Sequence, residues 1–345
     1  MARRQGITAA GVGKRRSSAT ARGRRIDKQA GGDLGSRGVT QPELQDISTI
    51  PGVCEVEHTP PRAGAPTLLI ELPHGATRTA DYEALRGRLV GALPDNLEQF
   101  FYVNTDIGTP ECAAWLAGAL AAAGYGSLVL RCVVPRTFID CNRVVAGSVQ
   151  GAVIDGLTPA VAGYITEAED RALLEALHRE YHALVERAYQ RICGAGGLAL
   201  QLHSYAPKSV EVDRVDGGIV AALRRAYEPA VYATWPERPA VDIICAGTDG
   251  TMYAAPELVA AVRAAFAAIE VEARENATYR LHPATMGYQY ARAYPRQVLC
   301  VELNRGLVAE PFVPFAESPI GPARVERMSR PLAAALVEAL ARLSR

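Results

Sequence analysis

The chain has 345 residues, enough to bury one large hydrophobic core or two modest ones, and its 49% hydrophobic content fits a globular protein. Lys and Arg (37) balance Asp and Glu (37), so net charge makes no general case for nucleic acid. No apolar run approaches the ~20 residues of a membrane span, which argues against an integral membrane protein.

The balance is uneven along the chain. Residues 1–28 hold nine Lys or Arg and one acid, Asp27, leaving 28 bases against 36 acids beyond them. Residues 1–45 are rich in Arg, Gly, Ser and Ala without a hydrophobic period, and read as a disordered basic arm. That arm lacks the apolar segment of a secretory signal. Without interleaved aromatics it makes only a weak case for nucleic acid. Residues 46–345 read as one α/β hydrolase-type domain.

In that domain, Thr67–Leu72 is an apolar strand running into Pro73-His74-Gly75. Thr79 is placed to cap a helix reaching about Leu93, with Glu83 near its start. Phe100–Val103 reads as a second short strand leading to Asp106. A helix follows from Pro110 to about Ala123, with Thr109 as its cap. Leu128–Val134 is a buried strand that closes on Arg136, Asp140, Asn142 and Arg143. Residues 144–165 are irregular and suit a loop over a site. Thr166–Ile192 is a long amphipathic helix on which His178 and His182 read as part of a solvated face. Strands at Leu198–Leu202, Val241–Cys245 and Val298–Leu303 follow, with helices at Pro256–Ile269 and Val325–Leu343. Strands alternating with helices imply a three-layer α/β/α fold around a mixed, largely parallel sheet.

Chemistry-bearing residues gather at strand ends. His74, Asp106, His203 and the Arg136–Arg143 cluster each follow an apolar run, and parallel strands would bring those ends to one edge. Glu302 lies inside the last strand between Val301 and Leu303, where a carboxylate needs a partner or a function. Two imidazoles with a carboxylate make the ligand set of a catalytic zinc. Each signal also has a plainer reading: a hydrogen-bonded turn histidine, a helix-capping Asp, a structural Arg–Asp pair. Ser204 lacks the G-x-S-x-G elbow of a serine hydrolase. Gly247-Thr248-Asp249-Gly250 reads as a turn rather than a phosphate cradle, and His58 falls in a Pro-rich loop. The seven scattered cysteines show no C-x-x-C pair and suit buried, reduced thiols in a cytoplasmic protein.

In order, Pro73-His74-Gly75, Asp106-Ile107-Gly108, Arg136 with Asp140-Cys141-Asn142-Arg143, Leu202-His203-Ser204 and Val301-Glu302-Leu303-Asn304-Arg305 resemble the N-formylglutamate amidohydrolase family, a branch of the zinc-carboxypeptidase-like hydrolases. The resemblance spans roughly residues 65–310. It implies one catalytic Zn²⁺ with His74 and His203 as ligands. In the carboxypeptidase pattern a Glu follows the first His by three residues, and here Thr77 stands in that place. Asp106 is therefore expected to supply the carboxylate, with Glu111 in reserve. The resemblance casts Glu302 as general base, Arg136 as oxyanion stabiliser, and Asn142 with Arg143 as the holders of a substrate carboxylate.

The expected activity is zinc-dependent hydrolysis of an N-acyl acidic amino acid such as N-formylglutamate, a small-molecule substrate, with no membrane partner. Two other readings stay open. One is a metal-dependent carboxypeptidase or γ-glutamyl peptide hydrolase of the same fold. The other, kept alive by Thr77, is a metal-free carboxylate-binding module.

Overall fold

Aliphatic and β-branched segments pair into one seven-stranded sheet in the computed structural model, which describes residues 44, 46–145, 158–212 and 214–343. The expected basic arm lies outside the described residues except Leu44, as does most of the loop expected over 144–165. The strands are β1 (Cys54–Thr59), β2 (Thr67–Leu72), β3 (Gly126–Cys132), β4 (Leu198–Tyr205), β5 (Val241–Ile244), β6 (Ala273–Glu275) and β7 (Val298–Asn304). Their spatial order is β1-β3-β2-β4-β7-β5-β6. The pairs β3–β2, β2–β4, β4–β7 and β5–β6 are parallel, while β1 and β5 run antiparallel to β3 and β7. The four central strands therefore end at a common edge, where ligands collect in open α/β sheets.

Helices cover both faces. They are α1 (Thr79–Arg86), α2 (Leu97–Asn104), α3 (Thr109–Ala122), α4 (Ala168–Ile192), α5 (Ile219–Ala226), the short α6 (Pro229–Tyr232), α7 (Pro256–Ala267), α8 (Met286–Ala293) and α9 (Pro322–Leu343). Side chains alternate across each strand, so Leu68, Ile70 and Leu72 join α3, α7 and α9 in one core. Leu69 faces α1, α2, α4, α5 and α8 in the other. Leu332, Leu336 and Leu340 are fully buried at helical spacing on α9, which is how that helix packs over the sheet. Three layers and a mixed, mostly parallel sheet match the expected architecture. Among the described residues no helix is long and apolar enough to cross a membrane.

Several local expectations change. Phe100–Val103 is not a strand: it lies in α2, where Leu97, Phe100 and Phe101 are buried at i, i+3 and i+4. Four aromatic and β-branched residues in a row imitate a strand when the flanking Leu97 is ignored. The stretch around His58 is not a loop but β1, an edge strand whose exposed Glu55, Glu57 and His58 suit an unpaired border. Helix α1 starts at Thr79 rather than being capped by it. The Asp81 carboxylate accepts the backbone N–H groups of Thr77 and Arg78, both at 3.1 Å, and Gly87 ends the helix early. His178 and His182 face inward instead of forming a solvated face; His178 Nε2 donates to the Arg143 carbonyl at 2.8 Å. All seven cysteines are buried and free, as expected.

Candidate active site

Each strand-end residue arrives by its own route. The Thr67–Leu72 run ends in a turn in which Gly75 N–H donates to the Leu72 carbonyl, and this sets His74 just beyond β2. A Cβ at Gly75 would fall 2.8 Å from Arg131 Cγ, so the turn admits no side chain there. His203 projects from β4, and Glu302 is its Cα partner on β7. Asp106 comes from the link between α2 and α3 rather than from a strand end. Its backbone is held by Gly108, the α3 cap, at φ 85°. A Cβ at Gly108 would lie 2.6 Å from Val308 Cγ2.

These routes converge. Asp106 Oδ2 lies 2.9 Å from His203 Nδ1 and 3.3 Å from His74 Nδ1. One ligand atom from each of the three buried residues lies within 4.8 Å of the others. The far nitrogen of His74, Nε2, contacts Asp140 Oδ1 at 2.7 Å. A carboxylate placed there can accept the Nε2 proton, as one does behind a metal-binding imidazole. With Nδ1 unprotonated a cation would be needed between it and the Asp106 carboxylate; with Nδ1 protonated the ring donates to Asp106 across the same 3.3 Å. The donor set of two imidazole nitrogens and one carboxylate oxygen fits zinc. Positive charge at this point already comes from Arg136, whose Nη1 is 3.3 Å from His74 Nδ1 and 3.7 Å from Asp106 Oδ1.

The electrostatics follow from burial and pairing. Burial works to raise Asp106, but the His74 and His203 imidazoles outweigh it and hold the carboxyl well below the usual carboxylate range. Asp140 is held low in the same way, with Arg143, Arg136 and His74 overcoming its burial. Glu302 behaves oppositely: burial, reinforced by Asp106 and opposed by His203, pushes it up to about 7. Its Oε2 is buried without a hydrogen-bond partner among the described residues. A carboxylate with a free oxygen and a near-neutral pKa can pick up a proton and give it back.

His74, Asp106, Arg136, Asn142, Arg143, His203 and Glu302 all line one cavity of about 280 Å³. Asn142 Oδ1 accepts the Gly287 N–H at 3.0 Å, and Arg143 Nη1 approaches Asp140 Oδ2 at 3.8 Å. Asp140 stands behind both His74 and the guanidiniums, a wider role than pinning one fork. Glu111, the reserve ligand, opens instead onto two smaller clefts beside Arg78 and stays out of the cluster. Ser204 Oγ donates to the Ile107 carbonyl at 2.9 Å and is structural. Gly247–Gly250 is a turn closed by the Gly250 N–H on the Gly247 carbonyl. His282 lines the cavity but lies outside the ligand cluster.

Four basic residues of the cavity, Lys208, Arg238, Arg280 and Arg305, were not singled out by their residue pattern. Arg305 is buried beneath Asp106, with Nη2 at 3.7 Å from Asp106 Oδ1 and 3.3 Å from the Ser204 carbonyl. Its signal was an arginine directly after the Glu302 strand. Arg238 comes from an irregular stretch with no comparable signal.

Residues 67–309 match the family model described as N-formylglutamate amidohydrolase. The crystal structure of N-formylglutamate amidohydrolase from Ralstonia eutropha JMP134 has a similar fold, with TM-score 0.52, 20% identity, and coverage of 83% of this chain and 97% of that one. A gene product of Agrobacterium tumefaciens aligns with TM-score 0.47 at 15% identity over 87% of this chain and 100% of its own. No curated protein matches the chain significantly. The fold and the matching family define an enzyme of the amide-hydrolysing class. The chain belongs to the N-formylglutamate amidohydrolase family, whose model spans most of the described domain.

Proposed function

We propose that this enzyme is a zinc-dependent amidohydrolase that cleaves the amide of an N-acyl acidic amino acid such as N-formylglutamate. The observation that carries the reading is the convergence of His74, Asp106 and His203 beside the unpartnered Glu302 oxygen, inside a cavity walled by cations. Among the described residues, Arg136, Arg143, Lys208, Arg238, Arg280 and Arg305 line it against two acids, Asp106 and Glu302, which favours an anionic substrate.

His74 Nδ1, His203 Nδ1 and Asp106 would hold the metal. Zinc bound there would lower the pKa of water toward ~7 and polarise the scissile carbonyl. Glu302 takes a proton from the attacking water through Oε2 as the water oxygen joins the carbonyl carbon. The same oxygen then returns the proton to the departing nitrogen as the C–N bond breaks. Arg136 balances the charge that builds on the carbonyl oxygen. Asn142 and Arg143 hold the carboxylate of the leaving amino acid, and the Asp140 contact keeps the Arg143 side chain in place.

The test is purified protein reconstituted with Zn²⁺ and given N-formylglutamate, with metal content measured alongside. Glutamate release that scales with bound zinc and stops on chelation is the expected result. Protein that binds glutamate-like carboxylates but takes up no zinc would replace this reading with the carboxylate-binding module.

A further inference from the structure

The cavity reaches past the scissile position to a second cationic end. Gln201, His203 and Tyr205 occupy alternate positions of β4 and so share one face of the sheet. Asn142 is tied to the Gln201 level: its Oδ1 accepts the Gly287 N–H, and a Cβ on Gly287 would lie 2.3 Å from Gln201 Oε1. Arg238 sits at the other end, its guanidinium 5.2 Å from the Tyr205 ring and 5.5 Å from the Tyr279 ring. Four residue steps along the strand separate these levels, a Cα span of ~13 Å, with His203 midway.

We infer that Arg238 selects an acyl group which itself carries a carboxylate, so that the preferred substrate is anionic on both sides of the amide. This rests on the proposed function, in which Asn142 and Arg143 hold the leaving amino acid. Arg143 then accounts for the anion on the Gln201 side, and a formyl group leaves the Tyr205 side unfilled. Arg238 is fixed for the purpose. Its Nε donates to Ser209 Oγ at 3.2 Å, its backbone N–H to the Pro207 carbonyl, and its guanidinium lies over both the Tyr205 and the Tyr279 rings. No acid among the described residues lies within ion-pair distance of it, whereas Lys208 is already paired with Glu237 at 3.0 Å. A flat, held guanidinium with free N–H groups facing a cavity is suited to bidentate capture of a carboxylate.

The test compares kcat/KM for N-glutaryl-glutamate and N-pentanoyl-glutamate, which differ at the acyl tip by carboxylate against methyl. N-formylglutamate is run beside them with the zinc-loaded enzyme. The expected glutaryl-to-pentanoyl ratio is at least tenfold, falling to near one in R238M. R238K, which keeps the charge but loses the flat stack, should fall between, and it keeps the ratio measurable if the methionine variant does not fold. A ratio near one in the unmodified enzyme, or one unchanged in R238M, overturns the inference. So does cleavage of N-formylglutamate with neither longer amide touched. If none of the three is hydrolysed, the proposed function itself has failed.

Discussion

Glu71 and Glu302 are both buried carboxylates on the α4-facing side of the sheet, and burial is the first cause that pushes each above the usual glutamate value. Their surroundings part from there. Glu71 accepts from the Tyr181 hydroxyl at 3.1 Å, the Tyr189 hydroxyl at 2.8 Å and Gln201 Nε2 at 3.0 Å. Glu302 lines the cavity, and its buried Oε2 has no hydrogen-bond partner among the described residues. The register makes the contrast sharper: Glu71 pairs with Gln201, and Glu302 pairs with His203 two residues further along β4. A shift of ~7 Å along the sheet separates a carboxylate spent on structure from one left available for proton transfer.

Glu302→Gln is the strongest way to probe this difference. It keeps the shape, removes the basic oxygen, and should lower kcat by roughly 10³-fold while bound zinc stays unchanged. Retained turnover would put the base elsewhere. Asp140→Asn should leave Glu302 in place but loosen the support behind His74, weakening zinc affinity by about 10–100-fold in a chelator competition. Equal affinity would make Asp140 a partner of the arginines alone.

The smallest effect concerns Glu71. Its pKa is raised in the folded state, so the folded form holds a proton that the unfolded chain loses above about 4.5. Its contribution to stability is full below that value and declines as pH rises toward the folded pKa. Glu71→Gln has no such decline, so urea unfolding at pH 4.5 and pH 8 should show the variant gaining on the parent at the higher pH. A gap that ignores pH, or a loss of turnover like that of Glu302→Gln, would erase the distinction between the two acids.

The sequence made one of these carboxylates conspicuous and hid the other. Glu302 stands alone between Val301 and Leu303, so its cost is visible without coordinates. Glu71 sits in Thr67–Leu72 in the same manner, yet its three donors come from α4 and β4, more than a hundred residues away. Strands β2, β3, β4, β5 and β7 were legible because both faces of each are buried and their apolar runs are continuous. Edge strand β1 was not, because one of its borders faces solvent and its residues are mostly polar. Asp106 was singled out as following a strand, but the segment before it is a helix. It also belonged to the Asp106-Ile107-Gly108 piece of the family resemblance, which does not depend on the element before it. His178 and His182 misled in the opposite direction. The charged residues around them suggested water, while the carbonyl that receives His178 lies in the Arg143 loop.

The backbone at Gly108 carries a consequence for how this site can vary. It lies two residues from Asp106 and against Val308, which closes the turn bearing Arg305. Any methyl there would wedge the acid away from the guanidinium beneath it and spoil the convergence of ligand atoms, although position 108 has no reactive group of its own. The convergence of His74, Asp106 and His203 thus leans on a backbone contact with room for hydrogen alone.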